Sequence, residues 1–266
     1  MRAHALEASV AGVGFWARGL PGWDAARAYA ADGLLPEAAP ARPSPQLLAP
    51  NERRRAPETV AVALEVALAA CTAAGRDPAT LSSVFASTHG DLAITDYMCA
   101  TLVDDPRAIS PTKFHNSVHN AAAGYWTIGA GAMTPATAVS AFDASFAQGL
   151  VEAMAQLATG TEAVLLVGYD STATGPLART SRSEGLLGGA LVLVAGPVTG
   201  APRLRVRLGE EDARDADARH GPLSHLLTGN AMAPMLPVFE LLARTAVAAR
   251  LPAGAGRVLE VDLVHE

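Results

Sequence analysis

The segment Ala138–Met154, AVSAFDASFAQGLVEAM, decides how this chain is read. It begins as the end of a β-strand, turns tightly, and continues as an amphipathic helix. Phe146, Leu150, Met154 and Leu157 recur at the three- and four-residue steps that put side chains on one helix face. A strand–turn–helix corner of this kind is where several enzyme classes hold a nucleophile. Here the corner carries Asp143, flanked by Ser140 and Ser145.

The flanking sequence sets the corner in an α/β layered fold. TEAVLLVGYD (161–170) and GGALVLVAG (188–196) are apolar runs without alternation, as expected of parallel strands buried on both faces. Ala8–Ala17 reads as a first buried strand, and WDAARAYAADG as a short helix closed by Gly33. Residues 34–57 are rich in proline and form no single regular element. A helix follows from Glu58 to Gly75, with Val62, Val66 and Ala69 on one face. LSSVFAST and ATAVSA are strands, HGDLAITDYMCATLVDD a loop entering a helix, and NSVHNAAAGYWTIGAGA a tightly packed helix of small residues. RLRVRLG alternates arginine with aliphatic residues and predicts a half-exposed strand. GEEDARDADARHGP is a charged loop. MAPMLPVFELLARTAVAAR predicts a helix with Pro237 in its first turn, and VLEVDLV a last strand. Strands alternating with helices imply α/β layering, and no fixed-period repeat interrupts it.

Composition narrows the function. The 266 residues are half hydrophobic, enough for a sizeable core, yet no apolar run approaches the roughly 20 residues that span a bilayer. With no basic-then-apolar leader at the start, a cytoplasmic protein is expected. The net charge of −6 argues against a nucleic-acid binder, and Lys113 is the only lysine. Cys71 and Cys99 lack any zinc or redox spacing and are expected to be buried free thiols.

No G-x-S-x-G elbow, Walker loop or H-E-x-x-H motif occurs. The glycines of GVGFWARG do not match the dinucleotide spacing, and close packing explains them better. His115 and His119 are four apart, as metal ligands on one helix face can be, but no acidic or thiol partner lies near them in sequence. No metal and no cofactor are therefore expected. Ser140 or Ser145 acting with His119 or His225 would make a small acyltransferase or thioesterase; serine is also an ordinary helix-start residue.

The run from Asp105 to Asp170, with ISP, NSVHNAAAG and TGTEAVLLVGYD inside it, resembles the N-terminal half of β-ketoacyl synthases. FHNSVHNAAAGYW is similar to the ketosynthase-like chain length factors of aryl polyene (xanthomonadin-type) biosynthesis. The resemblance implies a thiolase-like layered α/β/α fold. It implies one domain over 1–266, with an N-terminal half largely complete over 1–200 and a contracted part over 201–266, reduced to one helix and one strand. In elongating ketosynthases a cysteine nucleophile follows the N-x-x-x-G run at a fixed distance. Counting without gaps from Asn120 and Gly124, and back from ATGTEAVLL, gives Asp143 both times. A carboxylate suits a helix N-terminus but is a poor nucleophile toward a thioester. The histidines of the family's second half are also reduced: there is no HGTGT-like motif, and HGPLSHLLTGNAMAP offers only His225 as a vestigial histidine, with His220 where the family has lysine.

The resemblance therefore implies a non-catalytic subunit. It would pair with an active β-ketoacyl-ACP synthase as a heterodimer and shape that partner's acyl tunnel. Acyl carrier protein would be met directly or through the partner, with Arg53, Arg54 and Arg55, and separately Arg107 and Lys113, as basic contacts. Ile94, Tyr97, Met98, Phe114, His115 and Phe142 are the tunnel candidates. Ser117, His119, Asn120, Tyr125 and Trp126 are the dimer-interface candidates. Plain core roles are the competing reading for all of these, and a homodimeric acyl-binding scaffold is a further one.

Overall fold

The computed structural model describes residues 5–211, 221–244 and 246–264. Among them one mixed sheet contains β1 (Leu6–Ala17), β2 (Ser82–Ala86), β3 (Ala136–Val139), β4 (Ala163–Asp170), β5 (Leu187–Val194), β6 (Arg203–Glu210), β7 (Ala248–Gly254) and β8 (Arg257–Leu263). Their order across the sheet is β3-β2-β4-β5-β1-β6-β8-β7. β2 runs parallel to both β3 and β4, while every other neighbouring pair is antiparallel. The helices are α1 (Trp23–Asp32), α2 (Pro50–Arg55), α3 (Glu58–Ala74), α4 (Leu92–Asp104), α5 (Pro111–Asn116), α6 (Ala121–Ala130), α7 (Ser145–Ala158), α8 (Pro222–Leu226) and α9 (Leu236–Leu242).

Two apolar layers cover the sheet. Val164 and Leu166 of β4, with Leu191 and Leu193 of β5, pack with Phe146, Leu150 and Met154 of α7 and Phe239 of α9. The intervening Leu165, Val167, Ala190 and Val192 pack with Val62 and Val66 of α3 and Trp126 of α6. Alternate residues of one strand serve opposite layers, so both central strands are apolar throughout. The GVG run lies where α3 crosses β1. A Cβ on Gly12 would stand 2.2 Å from the Ala70 carbonyl oxygen, and one on Gly14 2.0 Å from that of Val66. The helix rests directly on strand backbone, which accounts for these glycines without a dinucleotide.

Several expectations need correction. β5 is antiparallel to both neighbours; its unbroken apolar run reflects burial on two faces, not strand direction. The buried row of α3 is Val62, Val66 and Ala70, and Ala69 is exposed. The C-terminal part holds three strands, β6, β7 and β8, where RLRVRLG and VLEVDLV were the strands expected, so β7 is the added one. The long helix expected over 232–250 stops at Leu242. Arg244 is left-handed, with φ +62°, and β7 begins at Ala248. β7 carries Pro252, which the sheet accommodates because β7 is an edge strand. Cys99 is exposed, not buried. His115 and His119 do not share a helix, because α5 ends at Asn116 and α6 starts at Ala121. His220 and positions 212–219 of the charged loop lie outside the described residues.

Candidate functional site

The corner forms where β3 ends. Ser140 and Ala141 lead into a single 3-10 turn, Phe142–Ala144, and α7 starts at Ser145. Phe142 has φ +52°, a left-handed conformation that a bulky side chain adopts only at a cost of about 1–2 kcal/mol. Ser145 holds the bend closed: its hydroxyl accepts from the Ala141 N–H at 2.9 Å and donates to the Phe142 carbonyl at 2.6 Å. Strained geometry persists where the surroundings over-determine it. The strain lies at Phe142, one residue before the position that the gap-free count gives. Asp143 follows it and is exposed.

A buried network braces the corner from behind. Asp170, at the end of β4, is fully buried and accepts from the Ser87 hydroxyl at 2.6 Å and the Thr88 N–H at 3.0 Å. Thr88 passes the support on. Its carbonyl accepts from Ser140 Oγ at 2.8 Å, and its hydroxyl donates to the Phe142 carbonyl at 3.4 Å. His89 Nδ1 stands 3.8 Å from Asp170 Oδ1 and donates to the Gly90 carbonyl at 3.2 Å. Burial pushes the Asp170 carboxyl up, against the opposing pull of His89 and of the Ser87 and Thr88 hydrogen bonds. Burial and the neighbouring Asp170 charge push the Tyr169 phenol up as well. His119 Nε2 donates to the Ser87 carbonyl at 2.9 Å, fixing the same loop from the other side.

The corner has the shape of a nucleophile site and no thiol. Cys71 is buried in α3, where burial pushes its thiol up to about 12, and Cys99 lies on α4. Ser140 and Ser145 spend their hydroxyls on backbone carbonyls, and neither is bonded to an imidazole among the described residues. His225 is exposed on α8, and its imidazole makes no hydrogen bond among the described residues.

The other sequence-derived positions fall in three groups. On α4, Ile94 and Met98 are buried, and Tyr97 lies partly buried under the Lys113 ammonium, 5.0 Å from its ring centroid. Phe114, His115, Asn120 and Phe142 are exposed, with Ser117, His119 and Tyr125 half-buried beside them. His115 meets Tyr125 edge to face at 5.9 Å. Trp126 is different: it is 0% exposed and packs against Phe85 in the chain's own core, so it offers no surface to a partner. Sequence reading missed Ser87, Thr88, His89 and Asp170. Their signal was present, since a carboxylate closing an apolar strand must be paired if it is buried. It also missed five large apolar residues on the outside, Leu102, Val103, Val118, Ile128 and Met133.

The family model described as β-ketoacyl synthase, N-terminal domain, matches residues 23–233. The chain belongs to this β-ketoacyl synthase family. No curated sequence matches it. Among solved structures, the ketosynthase (ApeO) in complex with its chain length factor (ApeC) from Xenorhabdus doucetiae is 22% identical, with a TM-score of 0.74 over 97% of this chain and 99% of that one. The ishigamide ketosynthase/chain length factor is 14% identical, with a TM-score of 0.74 over 98% and 100% of the two chains. A β-ketoacyl synthase from Burkholderia phymatum STM815 is 12% identical, with a TM-score of 0.66 over 98% and 100%. These likenesses give the thiolase-like ketosynthase fold. Among the described residues, no helix is long and apolar enough to cross a membrane.

Proposed function

We propose that the chain is a non-catalytic chain length factor. It pairs with an active β-ketoacyl-ACP synthase and shapes that partner's acyl tunnel during polyene or polyketide elongation. The observation that carries this reading is a corner kept in strained, braced geometry with no thiol on it. The reading holds whether the nucleophile's place falls to Asp143, as the count gives, or to Phe142, where the strain lies. A ketosynthase needs a thiolate that forms a thioester. Neither a carboxylate nor a phenyl ring supplies one.

The surface supports a heterodimer. β3 is an edge strand of the sheet, and edge strands are templates for pairing with another chain. Leu102, Val103, Phe114, Val118, Ile128, Met133 and Phe142 make up half of the 14 large apolar residues exposed among the described residues, and all fall within positions 102–142, the segment that contains β3. Exposed apolar side chains concentrated in one segment support an interaction site there. Ile94, Tyr97 and Met98 on α4 are the tunnel-wall residues in this reading, with Phe114, His115 and Phe142 at the joint. Arg53, Arg54 and Arg55, in the last turn of α2, give an acidic carrier protein a basic contact. Residues 1–266 act as one domain.

Serine chemistry has less support, because both corner hydroxyls are committed to backbone. The test is reconstituted elongation with this chain, a ketosynthase encoded beside it, and the two co-expressed. The proposal expects a complex, elongation only by the complex, and full activity with Asp143→Ala. A soluble homodimer that ignores the ketosynthase favours a scaffold. Turnover by this chain alone, abolished by Ser140→Ala or Ser145→Ala, makes it an enzyme.

A further inference from the structure

We propose that the cleft outside the carboxyl ends of β2 and β4 binds a small phosphomonoester that carries hydroxyl groups. The cleft measures about 560 Å³, within the roughly 300–1,000 Å³ of small-molecule sites. Its place is the one where open α/β sheets bind ligands, past the C-terminal ends of parallel strands. The start of α4, the helix α5 and the chain leaving β4 form its walls.

Three polar side chains in that wall have no hydrogen-bond partner among the described residues. Asn116 is 4% exposed, its Oδ1 is buried, and its amide makes no hydrogen bond among the described residues. Thr174 Oγ1 is buried and equally unpaired. The hydroxyl of Ser171, itself 7% exposed, is not bonded within the described chain. An unsatisfied buried polar group costs about 1–3 kcal/mol, so the Asn116 carbonyl and the Thr174 hydroxyl beside one cleft call for a partner from outside. A hydroxylated ligand both donates and accepts, as an amide and two hydroxyls require.

Charge selects an anion. The two carboxylates of the lining are engaged: Glu58 pairs with Arg42 at 3.5 Å, and Asp91 accepts from Thr59 Oγ1 at 2.9 Å and from the Ile94 N–H at 3.0 Å. The two cations are not. Arg55 has no ion pair among the described residues, and Lys113 meets only the Tyr97 ring. A guanidinium and an ammonium lining one cleft suit phosphate. The site goes beyond the chain-length reading and does not rest on it.

The test is titration of the full chain with ribose 5-phosphate, followed by phosphorus NMR and thermal shift, with ribose and inorganic phosphate as separate arms. We expect saturable binding of ribose 5-phosphate, tighter than either arm, and weakened about tenfold by Arg55→Gln and by Asn116→Leu. Asn116→Leu should melt no lower than the parent, because it replaces an unpaired buried amide with an apolar group. If that variant fails to fold, Thr174→Val carries the same comparison. The proposal is overturned if ribose 5-phosphate does not saturate in the millimolar range. It is also overturned if the phosphate ester binds no better than free phosphate, or if the folded variants bind as the parent does.

Discussion

Asp170 shows how much of the corner depends on one buried carboxylate. Its oxygens hold Ser87 and Thr88, and those residues hold Ser140 and Phe142. Because burial raises its native pKa above the ordinary carboxylate value, the protein is stabilised with Asp170 protonated. That contribution is complete below the unfolded pKa and is lost as pH rises through the native one. Asp170→Asn removes this titration. Melting temperatures of parent and variant across pH should show the parent's relative stability falling from the ordinary carboxylate range upward; a pH-independent difference would contradict the assignment. The residue scale is also where sequence reading stopped short. The corner was legible because two anchors in the chain count to Asp143, one residue past the strained Phe142. The brace was not, because Ser87, His89 and Asp170 are brought together only by the β2–β4 pairing.

At the scale of elements, close contact between α3 and β1 sets the spacing of the whole layer. Gly14→Ala would drive a methyl into the Val66 carbonyl, which cannot rotate away as a side chain could. The loss of stability should be at least the ~1–3 kcal/mol of ordinary overpacking, read from denaturant unfolding. Retained stability would mean that the helix sits farther from the strand than described. Most elements were legible in the sequence, because apolar spacing and glycine stops reflect burial directly. Gly33 and Gly75 do end α1 and α3 in left-handed caps. The errors share one cause. Periodicity reports which faces are buried and says nothing about strand direction, so β5 was read as parallel. β7 was lost because AARLPAG carries the proline and glycine of a turn, and an edge strand tolerates both. Trp126 looked like an interface residue by its neighbours, but tertiary packing against Phe85 claimed it.

At the scale of the molecule, the exposed apolar residues of the segment 102–142 have no counterpart to cover them within the described chain. Ile128 is 79% exposed and Met133 97% exposed, so neither supports the monomer's own core. Replacing both, as Ile128→Asp with Met133→Asp, should leave the isolated chain folded by circular dichroism. It should weaken co-purification with the ketosynthase by about tenfold or more. Undiminished pairing would move the interface elsewhere. The sequence signalled this face only by resemblance, since single exposed apolar residues are common on any protein. What supports a surface for association is that seven of them fall in the one segment, 102–142, that contains the edge strand β3.

The central claim is that this subunit holds no acyl intermediate. Intact-mass spectrometry of the co-expressed pair, after brief incubation with an acyl-carrier-protein thioester, tests it most directly. The account predicts an acyl mass increment on the ketosynthase and none on this chain, unchanged by Asp143→Ala. An acyl increment on this chain, mapped to the corner and removed by Asp143→Ala, Ser140→Ala or Ser145→Ala, would contradict it.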